Sequence, residues 1–393
     1  MEPVCALTWN SCPADILYLI FKLLSPLEHQ ALCLVSQKFR TIAEPPLYSK
    51  IQFTWQKKHA YYSDLERPPP IAQLLRTFIS KPQLAAHIRR LHLDGKAWAV
   101  YATRFKLPKI HIPEDQLAEP VAFIRRTGVP YRDWWSTELR DGSIDALVAL
   151  LLAQLSCLNY LRLGRAFTRQ SALTGMMLRS AICESGTFKL GNFQHLQELS
   201  FLRQNPDTWT WPAPHAPVPS KLKTLNLTNI REGCLGEILA VTKNLETLHW
   251  KWYYDSGVAA ALSHVQGTLT DLTITADCQP AAAVGDQFFP GLEATGSLRA
   301  LVNFGRIKTL RIPLAFLRSG LLWEWKDYAI LGQLESWLRE WTRWTLRLSR
   351  ITLLLSWIDT DTNQWPPRAR EQLHGLSVQA GIRLDFVNTK HQL

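Results

Sequence analysis

The residue types that do chemistry are present but scattered. Eleven histidines are dispersed along 393 residues, and no HExxH pair sets two imidazoles on one helix face. The seven cysteines are Cys5, Cys12, Cys33, Cys157, Cys183, Cys234 and Cys278, an odd number with no CxxC pair. Neither a zinc ribbon nor a thioredoxin-like motif is encoded. These thiols are expected to be reduced, small, buried side chains of an intracellular protein, cytoplasmic, nuclear or both. There is no GxxxxGK phosphate loop, no GxGxxG after a strand and no GxSxG nucleophile turn. His92 lies near Asp94 at an expected strand end, a pairing that chance supplies often. No catalytic residue, metal or cofactor is expected. A Cys–His pair that meets only in space leaves no trace in sequence, and nothing raises it above background.

Charge says more. The chain holds 44 Lys+Arg against 33 Asp+Glu, a net charge of +11. The first fifty residues balance, with four basic and four acidic groups, so the excess lies downstream. Residues 299–350 carry ten Arg+Lys against four Asp+Glu. Arginine bonds carboxylate or phosphate through a two-pronged fork, so an acidic or phosphorylated segment would suit such a surface. Nucleic acid would also suit it, but no basic-aromatic stripe of an RNA module is visible and nucleic acid is not the expected partner. Scattered solvated charge is the plainer alternative.

The elements must be built from an ordinary globular composition, 47% hydrophobic and 20% charged, which excludes a wholly disordered chain. Sixteen Trp need large apolar sites with partners for their indole N–H groups. The longest early apolar run, 16–24, is broken by Lys22 and falls short of the ~20 helical residues that span a bilayer. No membrane partner is expected. The opening MEPVCALTWNSC does not read as an export signal, so the triplet Asn226-Leu227-Thr228 is not expected to carry sugar.

The first fifty residues predict three short helices. Ser11 is a plausible N-cap, with Pro13 and Asp15 in the first turn. Ile16, Leu17, Ile20, Leu23 and Leu24 recur at three-to-four spacing. Ser25-Pro26 stops that helix and starts another, carried by Leu27, Ala31, Leu34 and Val35. A third runs from about Ser36 to Ala43, where Glu44-Pro45-Pro46 is expected to end it. Such a module makes a small core, and its apolar positions exceed one buried stripe. The excess predicts a partner, either another protein or the domain that follows.

The residues in this stretch resemble the F-box, a helical module that docks on the Skp-type adaptor of Skp–cullin–F-box ubiquitin ligases. The resemblance rests on Pro13-Ala14-Asp15-Ile16-Leu17, on Leu32-Cys33-Leu34-Val35-Ser36-Gln37-Lys38-Phe39-Arg40, and on Pro45-Pro46-Leu47-Tyr48, which follows as in many fungal members. Cys12 stands where the family usually has Leu. The resemblance implies that Pro13, Ile16, Leu17, Ile20, Leu34, Val35 and Phe39 contact the adaptor or hold the helices that do. For Ile20 and Phe39 a place in the module's own core is at least as good a reading.

Downstream, the pattern apolar-x-x-Leu-x-apolar recurs. It occurs at Ile88/Leu91/Leu93, Leu158/Leu161/Leu163, Leu196/Leu199/Phe201 and Leu222/Leu225/Leu227. It continues at Leu245/Leu248/Trp250, Leu269/Leu272/Ile274, Ile307/Leu310/Ile312 and Leu348/Ile351/Leu353. Middle spacings of 26, 23 and 24 residues fit a leucine-rich repeat, one strand plus one helix per unit. Cys234, Leu235, Ile238, Leu239 and Val241 have helical spacing, as do Val258, Leu262 and Val265. The arrangement resembles leucine-rich-repeat F-box proteins, but the Asn or Cys of the repeat template is missing. Ala166, Gln204, Ile230, Tyr253 and Asp277 hold that position, so the repeats are irregular.

The expected fold is therefore α/β: a three-helix module at 8–53, a linker and short helix at 54–83, and an irregular leucine-rich-repeat-like β-α solenoid at 84–393. Insertions are expected near 94–150, with Trp98, Trp134 and Trp135, and near 204–220, a proline-rich loop. A mixed α/β domain without repeat curvature is the alternative. Leu334, Trp337, Leu338, Trp341 and Trp344 predict a capping helix. In each Leu-x-Leu the middle residue points away from the core. Arg162, Ser200, Asn226, His249, Thr273 and Arg311 are thus the expected target-recognition positions. The function implied is a non-catalytic substrate receptor joining an unknown protein target to a Skp-type adaptor and, through it, to a cullin–RING ligase. The alternatives are a repeat scaffold without a ligase role and a basic nucleic-acid-binding protein.

Overall fold

The computed structural model describes residues 9, 11–55, 70–95, 109–168, 171–183, 188–191, 193–202, 222–228, 232–252, 261–276, 304–313, 347–355 and 367–388. The chain divides into two compact units, Met1–Leu196 and Gln197–Leu393. The proline-rich 204–220 segment, Trp98, Val258 and the expected Trp-bearing helix at 334–344 lie outside the described residues.

The first unit opens with three helices, α1 (Ala14–Phe21), α2 (Pro26–Val35) and α3 (Gln37–Ser49). Pro13, not Ser11, is the residue preceding α1; its backbone is extended and no side chain caps the helix. Proline at this place fixes the entering φ, so the turn forms without a hydroxyl cap. Ser25 begins α2 with a reciprocal cap: its backbone N–H donates to Glu28 Oε2 at 2.6 Å, and Glu28 N–H donates to Ser25 Oγ at 3.4 Å. These bonds to Ser25, through the backbone first, hold the Glu28 carboxyl below its ordinary range. Ser36 caps α3 by accepting from Phe39 N–H at 3.1 Å.

The third helix runs six residues beyond the expected stop at Ala43, through Pro45 and Pro46 to Ser49. The proline φ is itself helical, and what is lost is the pair of bonds that residues 45 and 46 would donate back one turn. Strand β1 (Lys50–Trp55) follows directly and pairs in parallel with β2 (Arg90–Gly95), which pairs with β3 (Tyr160–Leu163). Between β1 and β2 lie α4 (Ile71–Ser80) and α5 (Pro82–Ala85). Between β2 and β3 lie a 3-10 turn (Glu114–Gln116), α6 (Ala118–Thr127), α7 (Arg132–Arg140) and α8 (Ile144–Ala153). The expected insertion is thus largely helical. Trp135 is fully buried there, and its indole N–H donates to the Ala146 carbonyl at 3.0 Å.

Helix α8 is buried on every face, which its near-continuous apolar sequence requires. Its one charged residue, Asp145, is also buried. After β3 come α9 (Arg165–Thr168) and α10 (Ala172–Cys183). Asp145 caps α10 from a distance: its carboxylate accepts from Leu173 N–H at 2.7 Å and Thr174 N–H at 2.9 Å. These are donors of the first helical turn that nothing within the helix can satisfy.

The second unit carries β4 (Glu198–Leu202), β5 (Thr224–Thr228), α11 (Glu232–Val241), β6 (Thr247–Trp252), β7 (Asp271–Ala276), β8 (Thr309–Pro313), β9 (Arg350–Leu355), α12 (Pro367–Gln379) and β10 (Arg383–Asn388). All seven strands pair in sequence order and in parallel. Their registers place Leu199, Leu225, Leu248, Leu272, Leu310, Ile351 and Leu384 in one row. Of these, all but Leu384 are buried, and Leu235, Ile238, Leu239 and Val241 of α11 are buried as well.

One backbone contact repeats at the starts of β5 to β9. The Gln197 carbonyl accepts from Lys223 and Thr224 N–H, that of Lys223 from Glu246 and Thr247, and that of Glu246 from Thr270 and Asp271. Those of Thr270 and Lys308 do the same for Lys308/Thr309 and Ser349/Arg350. A carbonyl has two lone pairs, so each strand entry locks the next without a side chain. This explains how the strands align although the expected Asn positions hold unrelated residues.

Burial pushes the Asp145 carboxyl up to about 6, with Glu138 adding to the shift, although the Thr174 and Leu173 donors pull the other way. The folded state therefore holds this proton more tightly than the unfolded chain. The associated stability is complete below about pH 4 and is lost as pH rises through about 6. Urea midpoints of wild type, measured against Asp145→Asn, should fall across that window and level off above it. Asp145→Ala removes both acceptors and should cost about 1–3 kcal/mol by urea unfolding.

Candidate functional site

The α1–α3 module has apolar residues on two faces, and only one face is used internally. Leu17, Phe21, Phe39, Ile42 and Ala43 make its interior, with Cys12, Ile20, Leu24, Leu32 and Cys33 packed around them. The rings of Phe21 and Phe39 meet edge to face with centroids 5.5 Å apart, a favoured aromatic geometry. Buried His29 sits 2.7 Å through Nε2 from the Phe21 carbonyl, at the end of α1. Lys38 Nζ donates to the Cys12 carbonyl at 2.9 Å, and Arg40 Nε donates to the Cys33 carbonyl at 3.0 Å. Interior packing and bonds from side chains to backbone carbonyls thus fix the three helices against one another.

The other face is uncovered. Leu23 is 86% exposed, Leu34 81% and Leu27 75%, and Ile16, Leu19 and Val35 are exposed too. Ile16, Leu19 and Leu23 follow i, i+3, i+7 on α1 and its last turn; Leu27, Ala31, Leu34 and Val35 follow i, i+4, i+7, i+8 on α2. Each set is a single stripe. Single exposed leucines are ordinary, but two such stripes in one small module mark an interaction surface.

The seven expected adaptor residues separate accordingly. Pro13, Ile16, Leu34 and Val35 lie on the surface. Ile20 is half-buried against the interior. Leu17, at 0% exposure, and Phe39 are internal, so their side chains hold the helices together and present nothing to a partner. Leu19, Leu23 and Leu27 are surface residues that the motif reading passed over, although their helical spacing was in plain view. Cys12 and Cys33 are half-buried free thiols, as is Cys157, more accessible than the expected buried cysteines. Burial, with Glu44 adding to it, pushes the Cys33 thiol up.

The expected target positions fall on the outward side of the strands. In the second unit Ser200, Asn226, His249, Thr273 and Arg311 form one register row that continues through Thr352 to Asp385. With strands about 4.8 Å apart, Ser200 and Arg311 lie about 19 Å apart along the row. Ser200 is buried, Asn226, Thr273 and Arg311 are half-buried, and His249 is exposed. Asn226 Nδ2 donates to Glu198 Oε1 at 3.3 Å. Partial loss of hydration, and the Arg311 charge after it, push the His249 imidazole down. Arg350 and Arg383 reach Asp385 at 2.7 and 3.0 Å and hold its carboxyl low against the opposing effect of desolvation.

Arg162 belongs to the first unit, where it shares a row with Gln52 and His92. His92 Nε2 lies 3.4 Å and Arg162 Nη2 3.7 Å from Asp94 Oδ2. Among the described residues no three His, Cys, Asp or Glu side chains converge as a metal site, and no helix is long and apolar enough to cross a membrane.

The division between internal and uncovered leucines has a direct consequence. Leu17→Ala should lower the opening free energy of α1–α3, read by amide exchange, by about 2–5 kcal/mol. Leu34→Ala should change it by no more than about 0.5 kcal/mol.

Comparison with known proteins agrees with this geometry. Residues 9–49 match the family model of the F-box domain, a range that spans all three helices and their caps. No curated protein matches the chain. The three helices at the start of this chain thus match the F-box domain as one unit.

Proposed function

We propose that the chain is a substrate receptor of a Skp–cullin–F-box type ubiquitin ligase. The observation that carries the reading is the uncovered apolar stripe pair on α1 and α2, within a module whose interior is already complete. Ile16, Leu19 and Leu23 on one helix and Leu27, Leu34 and Val35 on the other supply the contact. Pro13 sets the entry of α1, and Ile20 underlies the surface. Burying a leucine or isoleucine contributes ~1.5–3 kcal/mol, so a few such anchors exceed the cost of association. The adaptor in turn connects the chain to a cullin–RING ligase.

The parallel strands downstream are the target-binding part, built as an irregular leucine-rich repeat. Three features support this reading: the strands follow in sequence order, their leucines share one row, and the same carbonyl contact locks the entries of β5 to β9. The outward row from Ser200 to Arg311 offers polar side chains on a rigid frame, which suits recognition better than catalysis. The chain's role is positioning. Holding a target lysine near a ubiquitin-loaded conjugating enzyme raises its effective concentration, with no catalytic group supplied by this protein.

Leu23→Asp combined with Leu34→Asp tests the docking surface without touching the interior. Co-purification of the Skp-type adaptor with the full chain should fall at least about 100-fold, because two anchors are lost and two charges are buried. Far-UV circular dichroism should stay unchanged. Full retention of the adaptor by a folded double variant would remove the proposed interface.

A further inference from the structure

The outward face of β1–β3, immediately after the helical module, is basic in a way the leucine pattern does not require. Leu91, Leu93, Leu161 and Leu163 are fully buried on the inward side. Their alternates Lys50, Arg90 and Tyr160 form one outward row, and Gln52, His92 and Arg162 form the next. Three permanent cations therefore stand on three neighbouring strands. Asp94 is the one acidic side chain among these outward positions, and it lies 3.7 Å from Arg162 Nη2. One nitrogen on this face, Arg162 Nε, is covered from solvent and makes no hydrogen bond, while His92 Nε2 lies 3.4 Å from Asp94 Oδ2. A covered polar group left unpaired is costly, and this one sits beside the face's excess of positive charge.

The arrangement also selects among anions. Arg90 lies over the Tyr160 ring, its guanidinium carbon 4.8 Å from the centroid. The ring holds the guanidinium plane in place, which favours two-pronged contact with a carboxylate. It also occupies the aromatic surface that a nucleic-acid base would stack on. Arg90 and Arg162 sit one strand apart and two residues along, so their α-carbons are roughly 8 Å apart. In an extended peptide, side chains two residues apart project from the same side about 6.6–6.8 Å apart, close to that separation.

We propose that the β1–β3 face binds an extended acidic segment of a target protein, with carboxylates at alternate positions meeting Arg90 and Arg162 and Lys50 adding long-range attraction. The inference deepens the target-binding reading above and rests on it. It places the recognised segment beside the ligase-docking module.

The test uses the full chain and fluorescence anisotropy. The probes are a labelled peptide of alternating Glu and Ser, its Gln/Ser counterpart, and single-stranded polyuridine. The Glu peptide should bind with an affinity that falls as salt rises, and the Gln peptide should not bind. Arg90→Gln and Arg162→Gln should each weaken the Glu peptide about tenfold or more, while Lys243→Gln, at an exposed position of the second unit, leaves it unchanged. Arg162→Lys, which keeps the charge but not the fork, should fall between wild type and Arg162→Gln. Lys50→Gln should weaken binding less than either Arg variant, and it carries the test if an Arg variant loses its cooperative thermal transition. Equal binding of the Gln peptide overturns the proposal. So does full binding by folded Arg90→Gln/Arg162→Gln, or polyuridine binding tighter than the Glu peptide. If only Arg311→Gln removes the peptide, the wider target-binding reading survives and this site does not. If no outward-face variant matters, both fall.

Discussion

The structure depends on a limit set by size. Three short helices enclose an interior filled by Leu17, Phe21, Phe39, Ile42 and Ala43, and there is no room for more. The sequence nevertheless places Ile16, Leu19, Leu23, Leu27, Leu34 and Val35 on the same helices, where they remain in contact with water. Apolar surface of this extent is favourable only when something covers it. The caps and carbonyl contacts of Ser25, Ser36, Lys38 and Arg40 hold the helices rigid, so a partner meets a preformed surface and ordering costs little on binding.

Rigidity continues into the rest of the chain by simple means. The third helix passes into β1 without a loop, and the Ser49 carbonyl accepts the Arg89 N–H at 2.9 Å, tying the end of that helix to the start of β2. Downstream, β5 to β9 are each placed by the preceding strand through the shared carbonyl at their entry. Side chains are then free to vary on the outward face while the inward row keeps its leucines. A protein that must hold one partner firmly and recognise another gains from such a division between a fixed frame and a variable surface.

Much of this was legible in the order of residues. The eight apolar-x-x-Leu-x-apolar segments all became strands, β2 to β9, because alternation with a fixed leucine leaves only one register that buries both apolar positions. Strands β1 and β10 escaped notice. Ile51 and Phe53 follow a helix with no turn between, and Leu384 and Phe386 alternate only briefly beyond the last recognised repeat. Pro45-Pro46 misled for another reason: proline forbids a hydrogen bond but not a helical φ. In the docking module the apolar spacing was plain, yet it could not tell Leu17 from Leu34. Both helices carry apolar residues on two faces, and the position of the third helix alone decides which face becomes interior. The partnership of Asp145 with Leu173 and Thr174 spans 28 and 29 residues and leaves no local pattern to read.

The central claim is that the uncovered stripes on α1 and α2 are hidden by the adaptor while the interior is already closed. Hydroxyl-radical footprinting of the full chain, with and without purified Skp-type adaptor, reads this side chain by side chain. The account predicts that adaptor sharply lowers oxidation of Leu23, Leu27 and Leu34, and that Leu17 and Phe39 are protected in both states. Unchanged oxidation of the three leucines in a chain that still binds the adaptor would contradict it.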